Sequence, residues 1–289
     1  MQYEGNIFRP PAEHNSIILQ VTTGCSHNAC GFCGLYKDKK FTIKSTEQII
    51  NDLKYAQVYY PNTKRVFLCD GDALIIPTEK LIEILDNIIL YLPWITRVGT
   101  YANAKSILRK TPEELETLKK KKLGILYLGL ESGDNNVLHR MNKGVCVEEQ
   151  IEAGRRVKSA GMKLSCTVIL GLGGKSGSKD HALLTASALS KIDPNYANAL
   201  SLMIDPCMPL YSDISSGIFI HPDPMEILAE LRILIENLHL SGGIFSANHA
   251  SNYLPIQIRI PGGKDEALKM IDAALNGNIS IKPEWMRAL

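Results

Sequence analysis

The sequence contains no run of about 18 consecutive apolar residues, and its first fifteen residues, MQYEGNIFRPPAEHN, lack a basic-then-apolar leader pattern. Membrane spanning and secretion are therefore not expected, and a cytoplasmic location is. Excess charge of one sign is also missing. With 32 Lys and Arg against 30 Asp and Glu, the formal net charge is +2, which gives no strong nucleic-acid signal and no reason to expect a general polyanion surface. The only block of like charge, Lys119 to Lys122, reads as a solvated helix C-terminus that complements the helix dipole. Internal repeats, low-complexity stretches and Gly/Ser linkers are absent too. What remains is 289 residues, 45% hydrophobic and 21% charged. That is long for one compact domain but suits a barrel-type α/β domain with additions.

Short β-rich apolar runs alternate with longer helical patterns. Strands are expected at Ser16 to Thr23, Val66 to Cys69, near Thr96 to Tyr101, at Leu123 to Leu130, Lys163 to Leu170 and Ala197 to Ile204. Helix starts are marked by Ser45-x-x-Gln48, by Thr78, and by Thr111-Pro112-Glu113-Glu114. Two helical stretches are expected up to about Ala160, and another helix over Lys179 to Ser190. Six β-then-α alternations predict an α/β fold, a partial (β/α)6 TIM-type barrel, over residues 1–204. After Asp205 prolines interrupt the pattern. Asp223-Pro224-Met225-Glu226 caps one long amphipathic helix, and a last short helix runs near Lys264 to Leu275. Residues 205–289 are thus expected to be an extension packed on the barrel.

Seven cysteines occur at irregular spacing, and three of them fall within nine residues: Cys25-Ser-His-Asn-Ala-Cys30-Gly-Phe-Cys33. With no export signal, this reads as a metal site rather than a disulfide framework. Thiolates hold iron–sulfur clusters, and a [4Fe–4S] cube normally takes four. Three ligands on one loop, with no fourth cysteine nearby, would leave one iron open. The competing reading is a Cys3His zinc site using His27, although His27 follows Cys25 too closely for easy tetrahedral closure. Cys69, Cys146 and Cys166 are expected to be core or strand-end residues.

At this loop the sequence resembles the radical S-adenosylmethionine enzymes, in the branch with coproporphyrinogen dehydrogenase and the elongator-type proteins. That superfamily typically shows C-x3-C-x-aromatic-C. Phe32 occupies the aromatic position, and this chain has one extra residue between its first two cysteines. Three further stretches carry the likeness: Asp70-Gly71-Asp72 after the second strand, Gly129-Leu-Glu131-Ser132-Gly133 at the fourth, and Ile169-Leu-Gly171-Leu-Gly-Gly174 at the fifth. The resemblance implies a [4Fe–4S] cluster on Cys25, Cys30 and Cys33. It also implies S-adenosylmethionine held by Phe32, Asp70, Gly71, Asp72, Glu131, Ser132, Gly171 and Met203. The acids would meet the methionine ammonium and the ribose, and the glycines would admit the adenine.

The implied activity is reductive cleavage of S-adenosylmethionine, followed by hydrogen abstraction from a small-molecule substrate, with an electron donor such as flavodoxin or ferredoxin. Expected substrate contacts are Tyr101, Asn103 and His249, with Asn248, Ser251 and Asn252 beside the last. His249 is either a general acid/base or a satisfied structural histidine. The overall look is similar to the queuosine lyases, which release queuine from the nucleoside or its phosphate. The alternative function is a non-catalytic haem-binding or haem-delivery protein related to coproporphyrinogen dehydrogenase.

Overall fold

Runs rich in Ile, Val and Leu form the strands, and the capped segments between them form the helices. The computed structural model describes residues 1–288. Along the chain come β1 (Ile17–Gln20), β2 (Thr22–Thr23), β3 (Thr42–Ile43), α1 (Thr46–Tyr59), β4 (Arg65–Cys69) and α2 (Thr78–Tyr91). Then follow β5 (Arg97–Ala102), α3 (Ala104–Leu108), α4 (Pro112–Lys120), β6 (Leu123–Glu131), α5 (Asn135–Arg140) and α6 (Val147–Ser159). Next are β7 (Lys163–Leu170), α7 (Gly174–Ile192), β8 (Tyr196–Ser201) and α8 (Leu210–Ser215). The chain continues through α9 (Pro224–Asn237), β9 (Ile244–Ser246), β10 (Gln257–Arg259) and α10 (Lys264–Leu275). The fold class is α/β, with parallel strands and crossover helices.

Two compact units divide the chain: residues 1–28, 35–128 and 153–164 in one, and 29–34, 129–152 and 165–289 in the other. In the first unit β4 lies between β1 and β5, all parallel, with Ile17 opposite Val66 and Val66 opposite Val98. β5 continues parallel to β6, with a register shift between Val98 and Gly99. Leu19, Val66, Phe67 and Leu68 are fully buried in these strands, and Leu53 of α1 and Leu81 and Leu85 of α2 are equally covered. Each such side chain contributes about 1.5–3 kcal/mol by leaving water. Ser45 caps α1 and Thr111 caps α4 with reciprocal capping boxes, each worth roughly 0.5–2 kcal/mol.

Glu13 is fully buried in this unit. It accepts from Arg97 Nη2 at 2.5 Å, from Tyr127 OH at 2.6 Å, and from Ser16 Oγ. The segment before β1 is thereby tied to β5 and β6 by a carboxylate whose oxygens are both engaged.

In the second unit β8 pairs parallel with β7 from Ser165 to Leu170, and also with β9. β10 closes antiparallel on β9. Asp223 caps α9 with a capping box, and α9 packs along α7.

Several expectations change. The first expected strand is two: after Gln20 the chain turns, and β2 pairs antiparallel with β3, because Thr23 Oγ1 bonds Lys40 O and Thr42 Oγ1. Thr78 is not a cap. Pro77 holds that position without a side-chain bond, and Thr78 Oγ1 accepts from Lys110 Nζ at 3.3 Å. The helix expected from Lys179 begins at Gly174, whose φ of +70° starts it directly from the glycine turn. The sixth parallel strand ends at Ser201 rather than Ile204, since side chains claim the next backbone groups: Ser251 Oγ accepts Ser201 N, and Arg287 Nη2 donates to Leu202 O. Cys69 and Cys166 are core residues, whereas Cys146 is only half-buried.

Candidate functional site

In the first unit the C-terminal ends of β1 and β4 carry Cys25 and Asp70-Gly71-Asp72. Asp70 is fully buried. Its Oδ2 accepts from Gly24 N at 3.1 Å, Gln20 Nε2 at 3.1 Å and Lys39 Nζ at 3.3 Å, while Asp70 N donates to Thr22 Oγ1. Its Oδ1 is buried and has no partner among the described residues. One oxygen thus holds the residue ahead of the first cysteine, and the other is an acceptor awaiting a donor.

Gly71 is required by space. A Cβ there would lie 2.8 Å from Cys25 Cβ and 3.0 Å from Tyr36 Cε2, and Gly71 N also donates to Gly24 O. Tyr36 is 5% exposed and meets Phe8 edge-on at 5.6 Å. Burial, then the nearby Asp70 carboxylate, pushes its hydroxyl pKa well above the ordinary range, so it stays a neutral core phenol beneath the cysteine loop.

Asp72 is buried with its carboxylate engaged by Ser26 Oγ at 2.9 Å, Asn103 Nδ2 at 2.6 Å and Ser106 Oγ at 2.8 Å. Its oxygens are therefore already taken up in fixing the start of the cysteine loop to α3. Asn103, read from sequence as a substrate contact, is the N-cap of α3, with its Oδ1 accepting Ser106 N. Tyr101 packs edge-on against Phe67 at 5.0 Å. Burial, then Cys69 and Asp70, raises its pKa.

The second unit anchors the rest of the cysteine loop. Gly31 N donates to Met141 O, Leu210 N to Gly31 O, and Asn142 Nδ2 to Ala29 O at 3.2 Å. Phe32 is buried with Val137, Met141, Leu172, Leu202, Leu210 and Phe219, and the half-buried Cys30 and Cys33 pack against this cluster. None of the seven cysteines is in a disulfide. Among the described residues no group of three or more His, Cys, Asp or Glu side chains forms a ready-made metal site.

At the end of β6, Glu131 sits at φ +64°, a left-handed conformation unusual for a side chain of this size. Its Oε1 pairs with Lys143 Nζ at 2.9 Å, and the Lys143 ammonium lies 5.9 Å from the Phe32 ring centre. A Cβ on Gly129 would collide with the Glu131 carboxylate. Ser132 is buried, and its hydroxyl accepts Asp134 N at 3.0 Å. Gly171, at φ +85°, donates its N–H to Glu230 Oε1 at 2.8 Å, an oxygen shared with His181 Nδ1 at 2.9 Å. Met203 is half-buried just after β8.

His249 is half-buried, and its Nδ1 accepts from Ser251 N at 3.1 Å while also meeting Ser251 Oγ at 2.9 Å. The ring proton therefore sits on Nε2. Burial first, and then Lys282, lower its pKa. Ser251 and Asn252 are structural: Ser251 Oγ accepts Ser201 N, and Asn252 bonds Ser201 Oγ and Ala199 O.

Sequence reasoning missed Gln20, Lys39, Ser26, Ser106 and Glu230. Only Glu230 carried a local signal, a carboxylate on the apolar face of α9 between Ile227 and Leu234. The others act through contacts 31 to 50 residues distant in sequence.

A family model described as the Radical SAM superfamily matches residues 19–184. No curated protein matches. The fold is similar to many solved structures. One is methylornithine synthase (PylB), at TM-score 0.55 and 16% identity, with 78% of this chain and 63% of that one covered. Another is coproporphyrinogen III oxidase (HemN) from Escherichia coli, at TM-score 0.59 and 14% identity, covering 76% and 51%. A third is the radical S-adenosylmethionine methyltransferase TsrM from Kitasatospora setae, at TM-score 0.58 and 14% identity, covering 70% and 38%. The chain thus spans less than two thirds of each of these proteins.

Proposed function

Because this chain belongs to the Radical SAM superfamily, whose enzymes use a [4Fe–4S] cluster and S-adenosylmethionine, we propose that it abstracts hydrogen from a small-molecule substrate. Cys25, Cys30 and Cys33 are the residues that would hold the cluster, and their chemistry fits it: three thiols on one loop, none in a disulfide. When bound, the cluster supplies the electron that cleaves the sulfonium of S-adenosylmethionine.

The observation that carries this reading is the Asp70 carboxylate. One oxygen secures Gly24 ahead of Cys25, and the other is buried without a donor. An ammonium group supplies the missing donor in a charge-assisted bond, and the methionine end of the cofactor offers one. Lys39 Nζ lies on the opposite oxygen at 3.3 Å. Glu131 is the acceptor for ribose hydroxyls, and the turn from Gly171 to Gly174 is the wall for the adenine. Tyr101 and the Nε2–H of His249 are the groups for the substrate. Asn103 acts by holding Asp72.

The finer reading is a lyase reaction on a modified nucleoside or its phosphate, of the queuosine-lyase kind, with flavodoxin or ferredoxin as electron donor and a cytoplasmic setting. It rests on the sequence resemblance. No helix among the described residues is long and apolar enough to cross a membrane. The test is anaerobic incubation of the reconstituted protein with S-adenosylmethionine, reductant and queuosine. Release of queuine with 5′-deoxyadenosine supports the lyase. Formation of 5′-deoxyadenosine without queuine removes that substrate and leaves the hydrogen-abstraction reading, whereas haem binding without 5′-deoxyadenosine favours the haem-delivery alternative.

A further inference from the structure

The first unit holds a concavity of about 560 Å³ at the N-terminal ends of β1 and β4. Ile17 and Ile18 of β1 line it, and Tyr3, Arg9, Lys64 and Arg65 stand around it. Arg65 opens β4 and Asp70 follows its end, so this cavity and the cysteine-loop acids lie roughly 17 Å apart along the strand, at about 3.3 Å per residue. Its volume falls in the range of small-molecule sites.

Its charge is one-sided. No carboxylate lines it, and Arg9, Lys64 and Arg65 form no ion pair among the described residues. Two acids flank lining residues in sequence: Glu13 is buried and already engaged by Arg97, Tyr127 and Ser16, and Glu4, beside Tyr3, lies outside the lining. Arg65 is aimed by a long bond from Nη1 to Ala12 O at 3.4 Å. Tyr3 brings no negative charge: its hydroxyl donates to Ile18 O at 2.9 Å, and burial pushes its pKa up to about 12. Three unneutralised cations around one cavity repel each other, and an anion placed among them gains a charge-assisted bond from each. Guanidinium groups favour phosphate through paired N–H donors. The neighbouring Tyr60, 40% exposed in the lining, offers an aromatic surface to whatever carries the phosphate.

We propose that this cavity binds a phosphate-bearing small molecule, at a site separate from the cysteine loop. The site stands independently of the radical reading and uses none of its residues.

The test is isothermal titration of the reconstituted full chain with AMP, inorganic phosphate and adenosine at low salt, repeated with R9A/K64A and with Y60A. Both AMP and phosphate should bind, and adenosine should not. R9A/K64A should weaken both by at least about tenfold while its rate of 5′-deoxyadenosine formation without added ligand stays that of the wild type. AMP binding more tightly than phosphate, with that margin lost in Y60A, identifies an organic phosphate as the ligand. Equal affinities identify the phosphate group alone. Absence of binding by both anions, or equal binding by wild type and R9A/K64A, overturns the proposal.

Discussion

Asp70 Oδ2 accepts the backbone N–H of Gly24 at 3.1 Å, so the acid that follows β4 grips the residue immediately ahead of Cys25. The same carboxylate is left with a buried, unpartnered Oδ1. Asp70→Asn keeps the side chain's shape and removes its charge. S-adenosylmethionine affinity should fall roughly tenfold to a hundredfold, the worth of one hydrogen bond to a charged group, while iron content stays near that of the wild type. Equilibrium binding to the anaerobically reconstituted variant checks this, and an unchanged affinity would remove Asp70 from the cofactor site.

Gly71→Ala tests the packing of the cysteine loop. The new methyl would sit 2.8 Å from Cys25 Cβ and 3.0 Å from the Tyr36 ring, so Cys25 has to move. Overpacking of this kind costs about 1–3 kcal/mol. The larger consequence should be a clear drop in iron incorporated per chain, measured by colorimetric iron and protein quantification. Wild-type iron content in a folded Gly71→Ala protein would contradict the account of this contact.

Glu230 supports the turn after β7 from beneath, accepting from Gly171 N and sharing the same oxygen with His181 Nδ1. Glu230→Ala leaves these buried donors without a partner. Unfolding in urea should show a loss of about 1–3 kcal/mol for each orphaned donor, and Glu230→Gln, which keeps an acceptor, should lose clearly less. Equal losses for the two variants would mean that volume, not hydrogen bonding, sets the role of this residue.

His249 has a pKa below its ordinary 6.5, first from burial and then from Lys282. In the folded chain it stays neutral where the unfolded chain takes up a proton, so its contribution to stability is complete above pH 6.5. That contribution declines as the pH falls from 6.5 towards the lowered value. The urea midpoint should therefore drop between pH 7.5 and 5.5, and His249→Gln should drop less. Identical pH dependence in the two proteins would show that His249 is not the titrating group.

Much of this fold could be read locally. Ser45, Thr111 and Asp223 announce their helices with capping boxes that form as expected, and the apolar runs become the parallel strands. Reading failed where a partner distant in the chain decides the outcome. Residues Lys163 to Leu170 end as expected, but β8 stops early because Ser251 and Arg287, 50 and 85 residues away, claim its backbone. The three-residue strands β9 and β10 are too short to show a period. At the site, Asp70 and Asp72 could be picked out by type and position. Their different states could not: Asp72 is engaged by Ser26, Asn103 and Ser106, whereas Asp70 keeps an oxygen to spare.

The central claim is that Cys25, Cys30 and Cys33 hold a cluster that cleaves S-adenosylmethionine. The most direct measurement is iron content and 5′-deoxyadenosine production in the anaerobically reconstituted wild type and in Cys30→Ala, with S-adenosylmethionine and a strong reductant. The wild type should carry about four irons per chain and release 5′-deoxyadenosine, and Cys30→Ala should lose both. A colourless wild type that contains zinc instead of iron, or a Cys30→Ala protein that still releases 5′-deoxyadenosine, would contradict it.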